Sequence, residues 1–299
     1  MPEFDGPYGE ILLPDDDPPD RAIGEYGELD FLMDWAASLQ MAFERLDEPP
    51  RPPYLKFVAY GALHEEYDGA TGLGVILYCE EADLESGRIG IVPVRDVPFP
   101  IVVRRVRTEL HQAPLRLNGA TRTCWARSRN SSGIEGFLTA KHVLAPTAGV
   151  GASVPLGGGR SANVLALAPE CFDAALLSDN IDDTTPMNTR WNVAIYDTVS
   201  VDSQSGSTPT TVVATTDPLG SWAVSKRLEA LSLRFLVDHT GQLGDSGGLV
   251  HATRNDGGND DGIGIYLGAY NPTGQTFSQG YCQNLEQVSE LMELELFQL

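Results

Sequence analysis

Apolar positions recur along the chain with two different periods, and each period predicts a different element. Between Glu28 and Leu46 they fall at three- and four-residue steps, as on one face of an amphipathic helix: Phe31, Leu32, Trp35, Leu39, Ala42 and Phe43. The prolines of "EPPRPP", residues 48–53, end this helix because proline lacks the N–H that a helix uses. Further on, "YLKFVAY" and "GLGVILYCE" are predicted strands, and "IGIVPVRDVPFPIVVRRV" supplies one or two more.

From Thr121 onward the pattern changes to short apolar segments separated by turn residues. The predicted strands are "TRTCWARS", "IEGFLTA", "GASVPL", "SANVLALA", "FDAALL", "TTVVATT", "LSLRFLV", "GGLVHA" and "GIGIYLGAY". Many short strands without helices between them indicate a sandwich or a pair of barrels. At the end of the chain, helical spacing predicts a C-terminal helix that packs on the body, with Leu285, Val288, Met292 and Leu296 facing inward.

Composition divides the chain into three regions. Residues 1–24 are an acidic, proline-rich tail. We expect this tail to be mobile because it has too few apolar residues to form a hydrophobic core. Residues 25–111 form a predicted small α+β module. Residues 112–299 form the predicted strand-rich domain.

The charge balance limits the classes of partner. A formal net charge of -22 disfavours binding to nucleic acid, since a polyanionic backbone would be repelled. No apolar run approaches the roughly 20 residues of a membrane span, so no membrane partner is expected. The beginning of the chain is acidic and lacks the basic and apolar regions of a secretory signal, which favours a cytoplasmic protein.

The cysteines give no sign of a metal site. They are scattered without a CxxC pair, at Cys79, Cys124, Cys171 and Cys282, and are expected to be reduced, buried and small-hydrophobe-like. The acidic stretch "RNDGGNDDG", residues 254–262, does not have the spacing of an EF-hand loop and is better explained as a hairpin tip. We therefore expect no metal and no other cofactor.

The stretch "GQLGDSGGLV", residues 241–250, surrounds Ser246 with glycines. A serine hydroxyl becomes a nucleophile only with a base in hydrogen-bond reach and a third group that orients the base. His142 ends the segment "GFLTAKH", and Asp173 opens "DAALL". Asp173 could instead be a strand-edge residue, and Ser246 a turn serine, if each is taken alone.

In chain order these segments resemble the chymotrypsin/trypsin-like serine proteases, in a bacterial, cytosolic form. "TAKH", "DAALL" and "GDSGG" correspond to three signatures of that family, and the resemblance covers roughly residues 115 to 299. It implies two six-stranded antiparallel β-barrels with the active site between them. The predicted fold class is thus mainly β, a double barrel with a C-terminal helix, preceded by the small α+β module.

The resemblance also implies roles for these residues. Ser246 would attack the scissile carbonyl, His142 would take its proton, and Asp173 would hold the imidazole. The backbone amides of Gly244 and Ser246 would form the oxyanion hole, where each donor stabilises the developing charge by about 3 to 4 kcal/mol.

Family geometry further implies a primary pocket with Thr240 at its floor and Leu267, Gly268 and Gly280 in its walls. Threonine stands where trypsin-like enzymes use aspartate, which argues against preference for arginine or lysine and favours a small or medium apolar, or polar, side chain. His239, beside the floor, is expected to pack in its loop.

Two departures separate the chain from secreted relatives. Their aspartate equivalent to Asp245 pairs with a new N-terminus made by zymogen cleavage, whereas here the protease region follows a long segment, so an internal partner is expected. Val143 and Gln242 occupy positions where those relatives have cysteines.

The predicted function is a serine endopeptidase acting on protein or peptide substrates. Its N-terminal module would recruit substrate, bind a regulatory protein partner or restrain the protease. The alternatives are a protease-fold scaffold that binds partners without cleaving them, and a processing enzyme that cuts one partner or itself.

Overall fold

The computed structural model describes most of the chain after residue 54. The described residues are 55–80, 85–94, 97–110, 122–131, 133–145, 147–157, 159–169, 172–181, 184–190, 193–203, 206–215, 234–239, 241–242, 244–253, 260–272 and 279–299. The predicted acidic tail and the predicted helix between Glu28 and Leu46 lie outside them.

The elements are mostly strands. The first part of the chain forms β1 (Leu55–Leu63), α1 (Glu65–Asp68), β2 (Gly72–Cys79), β3 (Gly87–Val94) and β4 (Val97–Leu110). The middle part forms β5 (Cys124–Ser128), β6 (Glu135–Thr139), β7 (Ser153–Gly157), β8 (Arg160–Leu167) and β9 (Ala175–Ser178). The last part forms β10 (Thr198–Ser203), β11 (Gly206–Thr215), β12 (Arg234–Val237), β13 (Leu249–Ala252), β14 (Asp261–Pro272), β15 (Gln279–Asn284), α2 (Leu285–Leu291) and β16 (Leu294–Phe297).

The first barrel is a six-stranded sheet in the order β16-β5-β6-β9-β8-β7. Both faces of its central strands are buried, which explains why their sequences are continuous apolar runs. On one face Trp125, Phe137 and Leu177 pack inside the barrel. On the other face Leu138 and Leu176 enter a core shared with the rest of the molecule.

The second barrel uses strands from the last part of the chain. Its order is β10-β13-β14-β15-β12-β11, and pairing between β10 and β11 closes the ring. Valines, aromatic residues and Cys282 fill its interior. The two barrels confirm the mainly β, double-barrel fold predicted from the sequence.

The strands before residue 111 continue the sheet of the second barrel. β1 pairs with β11, and β4 pairs with β14. Residues of β1, β2 and β4 contribute to the same hydrophobic core as residues of both barrels. The division of the chain at residues 111 and 112 remains a prediction, and the strands on its two sides are paired.

A buried polar cluster joins the N-terminal strands to β15. Arg104 and Asp68 form an ion pair of 2.5 Å with side chains only 2% and 0% exposed. Arg104 also donates to the Tyr78 hydroxyl and to Gln279 on β15, at 3.2 and 3.3 Å. Because the cluster lies away from water, burial raises the pKa of Tyr78 to about 12.

The C-terminal helix is confirmed but is shorter than predicted. α2 ends at Leu291, and Glu293 adopts φ 53°, a left-handed conformation that stops the helix. Residues 294–297 then form β16, which pairs with β5 and places Leu296 opposite Ala126. The prediction that Leu296 lies on the helix is therefore wrong. The leucines of "LELF" alternate with a polar residue as in a strand, and this segment pairs with the edge of β5.

The structure bears on two further expectations. Within the described residues no helix is long and apolar enough to cross a membrane. The described cysteines, Cys79, Cys124 and Cys282, are buried and are not joined by disulfides. Cys171 lies outside the described residues.

Candidate active site

His142 and Asp173 lie close together because of the pairing between β6 and β9. The last residue of β6, Thr139, is opposite Ala175 at the start of β9. The chain after Thr139 makes a 3₁₀ turn that contains His142, and Asp173 comes just before β9. The two side chains therefore emerge at the same end of one antiparallel pair.

Asp173 holds His142 through two hydrogen bonds. His142 Nδ1 lies 2.6 Å from Asp173 Oδ2, and the backbone amide of His142 donates to Oδ1 at 2.8 Å. Burial favours the protonated carboxyl of Asp173, but these hydrogen bonds and the nearby imidazole outweigh it and hold the pKa below its ordinary value. Asp173 is thus an ionised acceptor that fixes Nδ1 as the protonated nitrogen.

Ser246 lies in the loop before β13, which is bonded to β14. Gly247 donates its amide to the carbonyl of Tyr266 at 2.7 Å, and the amide of Tyr266 donates to Gly248 at 2.9 Å. Across the barrels, the Thr123 hydroxyl donates to the Gly247 carbonyl at 2.7 Å. Both barrels therefore hold the loop that carries the serine.

The hydroxyl of Ser246 has two acceptors. Its Oγ lies 2.9 Å from His142 Nε2 and 2.6 Å from the carbonyl oxygen of Leu267. In the tautomer that carries its proton on Nδ1, facing Asp173, Nε2 is the acceptor for this hydroxyl. A hydroxyl has one hydrogen, so His142 and Leu267 compete for it.

The carbonyl of Leu267 reaches the site because β14 is irregular at this residue. Its register with β15 shifts between Tyr266 and Gly268. Such a bulge turns a strand locally and changes the direction of the peptide groups beside it.

The glycines around Ser246 have separate structural reasons. Gly244 adopts φ 99° and Gly247 φ 92°, conformations that other residues rarely take. At Gly248 a Cβ would lie 2.1 Å from the carbonyl oxygen of Asp202 on β10. The loop therefore requires glycine for its backbone turns and for its close contact with a neighbouring strand.

Asp245 has an internal partner, as expected from the sequence. It is 2% exposed, and its Oδ2 accepts a hydrogen bond of 2.6 Å from the backbone amide of Gln242. This bond joins two residues of the loop that carries Ser246.

The residues assigned to the primary pocket do not all appear in the described part of the chain. Thr240 lies outside it. Leu267 is buried, Gly268 lies on β14, and Gly280 lies on β15 opposite Ala269. A Cβ at position 280 would lie 2.8 Å from the ring of Tyr266.

Tyr266 was not identified from the sequence. It is fully buried, and its ring meets His239 edge-on at 5.7 Å between centroids. Burial, with smaller contributions from Cys282 and Asp245, raises the pKa of its hydroxyl, so the phenol is neutral. Tyr266 therefore occupies space between Gly280 and His239 with an uncharged side chain.

Comparison with solved structures finds serine proteases of the chymotrypsin type, whereas no protein-family model and no curated protein matches the chain. A glutamic acid-specific serine protease, which utilises a histidine triad in substrate binding, is 14% identical, with a TM-score of 0.39 over 59% of this chain and 99% of its own. The chymotrypsin of Cellulomonas bogoriensis is 13% identical, with a TM-score of 0.38 over 60% and 100%. The active form of the Rv3671c protease of M. tuberculosis is 18% identical, with a TM-score of 0.36 over 62% and 90%.

Two other polar contacts of the site carry no local sequence signal. Gln283 on β15 accepts a hydrogen bond from the backbone amide of Asp173 at 2.9 Å. Thr123 stands 124 residues from Gly247, to which it donates. Each residue makes one hydrogen bond to a backbone group that is distant in sequence. Such a contact leaves no motif around Gln283 or Thr123 that a sequence pattern could reveal.

Proposed function

We propose that this chain is a serine endopeptidase that hydrolyses peptide bonds through an acyl-enzyme on Ser246. The observation that carries the proposal is the continuous chain of contacts from Asp173 through His142 to Ser246, at 2.6 and 2.9 Å. These distances fall within the range in which a base takes a proton from a hydroxyl.

The reaction follows from the positions of the protons. Ser246 Oγ attacks the scissile carbonyl carbon while His142 Nε2 takes the hydroxyl proton. The ionised Asp173 stabilises the imidazolium, and the imidazolium then gives its Nε2 proton to the leaving amine. Water then enters, and His142 Nε2 takes one of its protons as the water oxygen attacks the acyl carbon. The bond between that carbon and Ser246 Oγ breaks, Nε2 returns the proton to Oγ, and the acyl group leaves as a carboxylic acid.

We assign the oxyanion hole to the backbone amides of Gly244 and Ser246. The left-handed conformation of Gly244 supports this assignment because it changes the direction of the neighbouring peptide groups. Charge develops on the carbonyl oxygen only as the tetrahedral intermediate forms. Preoriented amides therefore stabilise this intermediate more than the bound substrate and so lower the barrier.

A substrate would also release the hydrogen of Ser246 to His142. A peptide N–H placed at the carbonyl of Leu267 would donate to it and would replace the Ser246 hydroxyl as its donor. The hydroxyl would then have Nε2 as its acceptor, so that peptide binding and activation of the nucleophile are coupled.

For the residue before the scissile bond we expect a small, uncharged side chain. The expectation rests on the pocket assigned around Gly280, where the ring of Tyr266 lies within contact of the glycine. A large or charged side chain would have to displace that buried ring.

Fluorophosphonate labelling tests the function directly. The reagent forms a bond between the serine oxygen and phosphorus and expels fluoride, so it labels only a serine whose proton is removed by a nearby base. We expect Ser246 to be labelled in the full chain, and Ser246→Ala, His142→Ala and Asp173→Asn to abolish or strongly reduce labelling. Ser161→Ala, at an exposed position on β8, is the matched control and should be labelled normally.

A chain that folds normally but is not labelled would support the alternative of a protein-binding scaffold. Labelling at another serine would contradict the assignment of Ser246. A cytoplasmic location and a regulatory partner for the N-terminal strands remain predictions from the sequence.

A further inference from the structure

The edge of β14 beside Ser246 is divided between two segments of the chain. At Tyr266 the edge is bonded to Gly247 and Gly248 of the nucleophile loop. One residue further, the carbonyl of Leu267 accepts from Ser246. A peptide that pairs with β14 beyond Leu267 would therefore lead directly to the nucleophile.

β4 already occupies that part of the edge. It runs antiparallel to β14, with Leu110 opposite Gly268, Glu109 opposite Ala269, and Val106 opposite Pro272 at the far end. The opposite edge of β14 is bonded to β15 at the same residues. Both edges of β14 are thus paired between Gly268 and Tyr270.

The end of β4 has fewer partners than its beginning. Pairing of β4 with β3 extends to Val103, and its parallel pairing with β2 extends to Arg105. Within the described residues, the strand pairing of residues 106–110 is with β14 alone. Val106 is also packed in the shared core, so the part of β4 that can leave β14 while the rest stays in its sheet is residues 107–110.

We propose that residues 107–110 of β4 act as a built-in substrate-like strand, which a peptide substrate must displace in order to pair with β14. The proposal rests on the proposed protease function. A peptide added to a sheet edge is held by the backbone N–H and C=O groups of that edge, and here β4 uses the same groups. Peptide residues upstream of the one at Leu267 therefore gain no backbone pairing in the resting chain.

The ladder identifies which bonds to break. Pro272 has no N–H, so the pair Pro272–Val106 cannot be a hydrogen-bonded pair, and the alternation of an antiparallel ladder assigns hydrogen bonds to Asn271–Arg107 and Ala269–Glu109. Glu109→Pro removes one of these N–H donors, whereas Glu109→Gln keeps it and removes the same charge. The two variants form a matched pair.

The readout is kcat/KM for the hydrolysis of two substrates, the p-nitrophenyl esters of acetyl-alanine and of acetyl-tetra-alanine. In the native chain and in Glu109→Gln we expect similar kcat/KM for both esters. In Glu109→Pro we expect the acetyl-alanine ester to react at the native rate. The kcat/KM of the longer ester should be about tenfold higher than that of the acetyl-alanine ester, which is the effect of one or two net backbone hydrogen bonds.

A native chain that already favours the longer ester as much as Glu109→Pro does would overturn the proposal and leave the protease function intact. No hydrolysis of either ester, together with no fluorophosphonate labelling, would instead refute the proposed function and this proposal with it.

If Glu109→Pro does not fold, backbone hydrogen exchange of the native chain tests whether a peptide displaces the end of β4. In the native chain, an acetyl-tetra-alanine analogue ending in a boronic acid should speed exchange at the amides of Arg107 and Glu109. The analogue with a single alanine should not. Unchanged protection of both amides with the longer inhibitor bound would show that β4 stays in place, and the proposal would be wrong.

Discussion

The backbone amide of Asp173 donates a hydrogen bond of 2.9 Å to the side-chain oxygen of Gln283. Asp173 belongs to the first barrel, and Gln283 lies on β15 of the second. The bond fixes the residue whose carboxylate orients His142, because it ties the backbone just before β9 to a buried side chain that is 1% exposed. The position of His142 thus depends on both barrels.

Replacing Gln283 should impair the chemical step more than substrate binding. Gln283→Met keeps the volume but removes the acceptor, so Asp173 and His142 are held less firmly. We expect kcat to fall about tenfold with KM little changed, since small displacements of reacting groups cost rate. Steady-state ester hydrolysis measures both, with Gln298→Met as the control. An unchanged kcat would show that the bond does not position the triad.

Gly248 should tolerate no side chain. A Cβ there would meet the carbonyl oxygen of Asp202 at 2.1 Å, so Gly248→Ala must move the loop that carries Ser246, or β10. We expect loss of most activity and a lower melting temperature. Gly149→Ala is the control, because a Cβ at that position meets nothing within 4 Å. Equal effects of the two substitutions would contradict the close contact.

The buried pair of Arg104 and Asp68 should be important for stability. Asp68→Ala leaves the guanidinium buried without its carboxylate partner, which typically costs about 3–5 kcal/mol. Glu290→Ala, which removes the half-exposed partner of Arg129, should cost no more than about 1 kcal/mol. Urea unfolding of the full chain measures both changes. A small effect of Asp68→Ala would mean that the cluster contributes little to joining the N-terminal strands to β15.

His251 should make the stability depend on pH. Its Nε2 lies 3.2 Å from Asp202 and its Nδ1 2.7 Å from Asp260. The hydrogen bond to Asp202 chiefly, with that to Asp260, raises the pKa of His251 against the opposing effect of burial. A raised pKa gives stability that is complete below the unfolded value of about 6.5 and is lost as pH rises through the folded value.

The free energy of unfolding of the native chain should therefore exceed that of His251→Asn by more at pH 5.5 than at pH 8.5. Urea titrations of both proteins at the two pH values measure the difference. Asp202→Asn should reduce the amount by which the stabilisation from His251 differs between the two pH values. A difference that is the same at both pH values would rule out the charged pair.

Local patterns predicted the strands well because their apolar residues are contiguous. "GFLT" and "AALLS" are buried on both faces, so they could be recognised without knowledge of their partners. β10, β15 and β16 were missed. The first two carry serine, aspartate, glutamine and asparagine, and the leucines of the third also fit a helical period.

The residues of the proposed triad were easier to locate from the sequence than the contacts that position them. His142, Asp173 and Ser246 each lie in a short motif, and the structure brings them within hydrogen-bond distance. Gln283 acts through one bond to a distant amide, so no spacing reveals it. The pairing of β4 with β14 depends on register between strands more than 150 residues apart, which apolar periodicity does not encode.

The measurement that tests the central claim most directly is the pre-steady-state reaction of the full chain with the acetyl-alanine p-nitrophenyl ester, followed by mass spectrometry of the quenched protein. The account predicts a burst of about one nitrophenol per chain and an acetyl-alanyl group bonded to Ser246. It also predicts that Ser246→Ala and His142→Ala give no burst. A burst that survives Ser246→Ala, or an acyl group found on another residue, would contradict the assignment of Ser246 as the nucleophile.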